Sequence, residues 1–331
     1  MKYTLLFLFI VLCNPYIHGQ EKTDLPQKKI IVAKDGSGDF STIQTAIDAA
    51  NTEKEMVLIY IKKGTYKEKL VIPSSKQQLI LVGENKDNTI ITYDDYSGKP
   101  NPNSTENIRT STSYTLLVEA NDVTIENLTI ENSSCDKGQA VSLHVKGTRF
   151  LIRNSKLLGC QDTLLTDGEG TFQYYVNCYI DGTTDFIFGP ATAVFKDCTI
   201  NCKKDSYITA ASTPENQEFG YVFLNCNLIA DANITKVFLG RPWRPFAKTV
   251  FIECSLDSHI LPEAWNPWED KRFPDKTKTA YYAEYKNKGK GAKIDKRVVW
   301  SHQLSKEEAK KYTLENIFKE YKNWKALKVA K

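Results

Sequence analysis

One phrase recurs through the middle of the chain: an apolar residue, Asn/Asp/Glu, a small or sulfur-bearing residue, any residue, then Leu/Ile. It reads Ile152-Arg153-Asn154-Ser155-Lys156-Leu157, then Tyr175-Val176-Asn177-Cys178-Tyr179-Ile180, and returns around Cys198, Cys226 and Cys254. From Ser155 onward the steps are 23, 20, 28 and 28 residues, and Leu128 occupies the same column one repeat upstream. Short β-rich runs such as Leu79-Ile80-Leu81-Val82 and Thr89-Ile90-Ile91-Thr92 supply earlier strands with one inward face. An antiparallel sandwich could use such strands, but it has no reason to repeat its inward column at coil spacing. The pattern predicts an all-β fold, a parallel β-helix whose coils rise about 4.8 Å each, with loops of variable length between them.

The exposed ends of a solenoid need covering. Ser41-Thr42-Ile43-Gln44 has capping-box spacing, with an apolar stripe of Ile43, Ala46, Ile47 and Ala50 behind it. Ser305-Lys306-Glu307-Glu308 repeats the signal before an amphipathic tail containing Ile317, Tyr321 and Trp324. Short helices are therefore expected to flank both ends. The Pro- and aromatic-rich stretch around Trp265 and Trp268 reads as a long loop packed beside the solenoid.

Residues 1–19 carry an apolar run from Leu5 to Cys13 that is too short to span a bilayer and fits a secretory signal peptide cleaved after Gly19. Cys13 follows Leu12 rather than a small residue, which argues against a lipoprotein-type site. No later stretch is long and apolar enough to span a membrane. Residues 20–331 then form a single exported domain, secreted or periplasmic and expected to be a monomer.

The formal charge of +4 is spread through interleaved Lys and Asp/Glu, with no basic tract of the kind that binds nucleic acid. Neither a C-x-x-C motif nor a zinc-spaced Cys/His cluster occurs, and His144, His259 and His302 are isolated, which leaves a Ser-His-Asp triad without support. In the cysteine column, Cys178 and Cys198 occupy equivalent places on successive short coils. They are expected within disulfide range, the alternative being a stack of free thiols.

Polar residues at 139, 162 and 185 lie two equal steps of 23 residues apart, so Gln139, the Gln161-Asp162 pair and Asp185 should stack on one face. Arg241 and Trp243 follow in Leu239-Gly240-Arg241-Pro242-Trp243 about two longer coils later. One carboxylate can attack an activated carbonyl while a second acid protonates the leaving group and then activates water. Amides can donate to the developing oxyanion, and an arginine can grip a carboxylate through paired hydrogen bonds. Singly, each of these residues has a structural reading in a turn or polar ladder. Together they suit ester hydrolysis.

With those motifs in view, the chain resembles the pectin methylesterase (pectinesterase) family. The likeness runs from Asp35-Gly36-Ser37-Gly38-Asp39-Phe40 through Gly64-Thr65-Tyr66-Lys67-Glu68 and Gln139-Ala140-Val141. It continues through Gln161-Asp162-Thr163-Leu164, Asp185-Phe186-Ile187-Phe188-Gly189, Ala283-Glu284-Tyr285 and Arg297-Val298-Val299-Trp300. The resemblance implies a right-handed β-helix that hydrolyses C6 methyl esters of pectin (methyl-esterified homogalacturonan), without metal or other cofactor. It implies Asp185 as nucleophile, Asp162 as acid and then base, and Gln161 and Gln139 as oxyanion donors. Arg241 and Trp243 match substrate-contacting and nucleophile-orienting positions, Thr110 matches a substrate-contacting one, and Tyr66 and Glu68 read as structural.

Leu165 stands where the family often has Tyr, Thr184 where Val is common, and Ser142 where Ala is usual. These departures bear on subsite preference rather than chemistry. A β-helix pectate lyase, a polygalacturonase and a noncatalytic wall-binding solenoid are the competing readings. The first two would shorten the polysaccharide chain, and the last would not need Asp162, Asp185 and Arg241 together.

Overall fold

The computed structural model describes residues 28–324, so the expected signal peptide and Cys13 lie outside the described residues. The chain winds as a right-handed parallel β-helix with sheets of eleven, seven and eight strands. Among the described residues, no helix is long and apolar enough to cross a membrane.

The recurring phrase has a backbone cause. Its Asn/Asp/Glu position turns the chain from the eleven-stranded into the eight-stranded sheet in the left-handed region. The φ values are 57°, 52°, 52°, 54°, 53° and 55° at Asn127, Asn154, Asn177, Asp197, Asn225 and Glu253. Short polar side chains tolerate that conformation best, and Asn and Asp fill five of the six places. Their side chains also bond along the stack, with the Asn225 amide donating to Asp197 at 2.7 Å. Inside the turn, Tyr175, Phe195, Phe223 and Phe251 stack face to face, with centroids 4.7, 4.5 and 4.2 Å apart. Aromatic burial thus follows the coil rise and fixes each strand's register.

Cys178 and Cys198 are free, as are Cys202, Cys226 and Cys254, so the bridge expected between the first two is absent. In-register coils hold equivalent side chains parallel at the coil spacing, while a disulfide requires them to converge. These two thiols instead donate to carbonyls of the preceding coil, Cys178 to Ile152 and Cys198 to Tyr175. The disulfide joins Cys135 to Cys160, outside that column.

Helix Ile43–Ala49 packs its buried Ile43, Ala46 and Ile47 onto the first coils, but the expected capping box is not formed. The Glu68 carboxylate accepts from the backbone N–H groups of Ile43 and Gln44 at 3.0 to 3.1 Å, satisfying the helix start from another coil. Tyr66 is buried and donates to the Lys62 carbonyl, so both residues are structural. At the other end the Ser305–Glu308 capping box is present. The tail it starts does not close the solenoid's end. Ile317 and Phe318 pack sideways on Leu151, Tyr174, Val194 and Val222, covering an apolar patch on the outer face of the eleven-stranded sheet.

The stretch between Trp243 and Trp300 is only partly a lateral loop. Strand Tyr281–Tyr285 joins the eleven-stranded sheet, and Trp265 is buried in the main core between Phe251 and Tyr282. The Ala283-Glu284-Tyr285 and Arg297 motifs meet in a buried ion pair, Arg297 Nε to Glu284 Oε1 at 2.7 Å, which ties this stretch down.

Candidate active site

The seven-stranded sheet carries the site on its outer face. Leu164 pairs with Ile187, a step of 23, so Asp162 and Asp185, two residues before each, are level on adjacent coils. Both have left-handed backbones, φ 67° and 49°, which turn their side chains out of the core while Phe186 and Ile187 turn in. Gly189 then passes so close to the coil below that a Cβ would lie 2.2 Å from the Thr166 carbonyl oxygen. The Asp-Phe-Ile-Phe-Gly motif is thus an acid on a tight turn, a core anchor and a close crossing.

Gln139 does not share that column. Leu143 pairs with Leu164, a step of 21, which sets Val141 rather than Gln139 level with Asp162. The amide reaches across instead, its Nε2 donating to Asp162 Oδ2 at 2.8 Å. Its Oε1 accepts from the Thr110 hydroxyl at 2.9 Å, which fixes the amide's orientation. Thr110 lies in the 3-10 turn Thr110–Thr112 at the cleft wall. Gln161 is half-buried just before Asp162 and does not line the cleft.

Arg241 leaves the end of strand Phe238–Gly240 and comes back over Asp185, with Nε to Oδ1 at 2.9 Å and Nη2 to Oδ2 at 2.6 Å. Its guanidinium lies between two rings, 3.9 Å from the Tyr207 centroid and 3.8 Å from that of Trp268. The sequence singled out neither aromatic for the site. Trp268 was visible only as part of an aromatic-rich loop, and Tyr207 carried no signal. Trp243 lines the cleft, in an edge contact with Phe188 and with the Arg244 guanidinium 4.5 Å from its ring centroid.

The acids are unequal. Burial pushes the Asp162 carboxyl well above its ordinary range, and the Asp185 charge adds to this against the Gln139 bond and Arg241. Burial also raises Asp185, but the bond and charge of Arg241 oppose it. Desolvation ranks above the mutual repulsion of the acids, and the arginine biases the negative charge toward Asp185. Around them opens a cleft of about 600 Å³, walled by Arg109, Thr110, Asp167, Trp243, Arg244 and Trp268 among others.

An open cleft on a parallel β-helix, floored by two buried acids on adjacent coils of which one is paired with an arginine, is the arrangement of a β-helix carboxylic ester hydrolase. Residues 29–321 match the family described as pectinesterase. The chain is 34% identical over 291 residues to "Pectinesterase 31" of Arabidopsis thaliana, covering 85% of this chain and 89% of that one. Its fold is similar to the pectin methylesterase from carrot, with a TM-score of 0.79, 31% identity, and 87% and 92% of the two chains covered. It is likewise similar to a pectin methylesterase in complex with a hexasaccharide, with a TM-score of 0.77, 29% identity, and 88% and 97% covered. The chain belongs to the pectinesterase family.

Proposed function

We propose that the protein hydrolyses the C6 methyl esters of pectin, with Asp185 as nucleophile and Asp162 as acid and then base. The observation that carries this reading is the pairing of Asp185 with Arg241 one coil from a buried Asp162. The roles follow from the charge asymmetry. Asp185 attacks the ester carbonyl, and the oxyanion takes a hydrogen bond from the second N–H of Gln139 Nε2, the first being held by Asp162. Asp162 accepts that bond on Oδ2, which leaves Oδ1 to carry the proton given to departing methanol. The Asp162 carboxylate then takes a proton from water, whose oxygen attacks the sugar carbonyl of the mixed anhydride. This releases the galacturonate carboxyl and restores Asp185. Gln161, set back from the cleft, serves as a second donor once a bound substrate turns it inward.

Arg241 orients Asp185, Trp243 offers a ring face to the sugar chain, and Thr110 sets the Gln139 amide. The oligosaccharide complex of a relative supports a polysaccharide substrate. Residues 1–19 are proposed to direct export, which agrees with a disulfide between Cys135 and Cys160. Methanol release from highly methylated pectin tests the reaction. Shortened or unsaturated chains without methanol would instead mean a polygalacturonase or lyase.

A further inference from the structure

His144 lies on strand Leu143–Val145, whose flanking Leu143 and Val145 point into the core while the imidazole points to the cleft side. It is 1% exposed, covered by the Thr110–Thr112 turn and by Tyr114. Both ring nitrogens meet acceptors. Nδ1 is 3.1 Å from the Ser111 carbonyl oxygen, and Nε2 is 2.9 Å from Asp167 Oδ2. A neutral imidazole has one N–H and one lone pair, so it can satisfy only one of these contacts. Two donors are needed where a carbonyl and a carboxylate both face the ring.

We propose that His144 is held as an imidazolium that positions the oxyanion donor, clamping the Thr110–Thr112 turn to Asp167 on the neighbouring coil. The chain of contacts is continuous. Asp167 holds His144, His144 holds the Ser111 carbonyl, the adjoining Thr110 donates to Gln139, and Gln139 donates to Asp162. The imidazolium touches no reacting atom and acts through Thr110. This inference rests on the reading of Gln139 and Asp162 above for its kinetic arm alone.

The surrounding charges fit a cation at this place. Asp167 has its carboxyl lowered from the ordinary range, first by the His144 hydrogen bond. Of the cations packed nearby, Lys146 pairs with Glu119, and Lys69, over the Tyr114 ring, pairs with Asp95. Arg109, before the turn, pairs with Glu106. Glu169 adds another carboxylate at the rim.

The first test is a nitrogen NMR titration of ¹⁵N-histidine-labelled protein, with the His144 signals assigned by their loss in His144→Gln. Both ring nitrogens should carry protons in the folded wild type, and in Asp167→Asn, which removes the carboxylate facing Nε2, one of them should be unprotonated under the same conditions. A ring nitrogen unprotonated at every pH where the protein is folded would overturn the proposal. The second test is steady-state methanol release by Asp167→Asn on methylated pectin, read as kcat and KM separately. Turnover should fall about tenfold with a smaller change in KM, as the oxyanion donor loses its placement. A kcat equal to that of the wild type would overturn the positioning role. Failure of the wild type to release methanol would count against the proposed function alone, because the NMR arm reads the imidazole directly.

Discussion

Arg241 grips Asp185 with two parallel hydrogen bonds, of 2.9 and 2.6 Å, while Tyr207 and Trp268 close over the two sides of the guanidinium. A planar cation between rings is a contact that an ammonium cannot reproduce. Arg241→Lys is therefore expected to lower turnover by ~10²-fold with the fold retained. Trp243→Ala should act differently, raising KM for pectin through lost stacking on the sugar chain. Steady-state methanol-release kinetics separate the two, and an unchanged KM in Trp243→Ala would return that ring to a packing role.

Asp162 places a stability cost at the site. Its carboxyl is raised from the ordinary value of 3.8 by burial first and the Asp185 charge second. The folded state therefore holds a proton that the unfolded chain has released. Its contribution is fully present below the unfolded value and is lost as pH rises through the folded one. Asp162→Asn, which keeps an acceptor for Gln139, should abolish turnover yet match the wild type in stability at low pH and exceed it at neutral pH. Chemical denaturation at several pH values checks this, and a variant less stable than wild type at neutral pH would contradict it.

Lys276 is a second such case. Burial lowers its ammonium to about 8, and its Nζ, over the rings of Trp268 and Phe273, has no hydrogen-bond partner among the described residues. Between about 8 and the unfolded value of 10.5 the unfolded chain binds more protons, so stability rises with pH across that window. Lys276→Met should be more stable than wild type below about pH 8, with the gain fading between about 8 and 10.5. Denaturation midpoints at pH 7 and pH 11 read the difference.

The disulfide staples the loop before Gln139 to the turn before Asp162, with Cys135 and Cys160 Cα atoms 5.3 Å apart. Thiol counting under denaturing, nonreducing conditions should find five reactive thiols among the described residues, the four of the buried column and Cys202. Cys135→Ser should lower turnover about tenfold while leaving the solenoid's circular dichroism unchanged, because a shift of Gln139 costs alignment rather than fold. Full activity in that variant would show that the loop holds its place unaided.

The coil architecture was legible because it rests on local necessities that repeat: a left-handed turn at Asn154, Asn177 or Asn225, and inward Ile180 and Ile200 one step further. Asp162 and Asp185 were legible for the same reason, each sitting on such a turn in true register. Gln139 does meet Asp162, but through a different geometry from the one the spacing suggested. The equal spacing suggested a stack, whereas the coil is two residues shorter and the side chain reaches across. Other features depend on long-range return of the chain and leave no periodic trace. The sandwich of Arg241 between Tyr207 and Trp268, the Glu68 cap on a helix 25 residues upstream and the Cys135–Cys160 bridge are of this kind. Helix Leu314–Ile317 was visible from its apolar residues, but its lateral seat was not, because amphipathicity reports that a face is covered and not by what.

Methanol release by Asp185→Ala tests the central claim most directly, measured on protein whose thermal unfolding matches the wild type. With no carboxylate to form the anhydride, turnover should fall by about 10³-fold or more, and Asp162→Ala should cost a comparable amount because the two acids act as one unit. Turnover near that of the wild type in Asp185→Ala would contradict the assignment of Asp185 as the nucleophile.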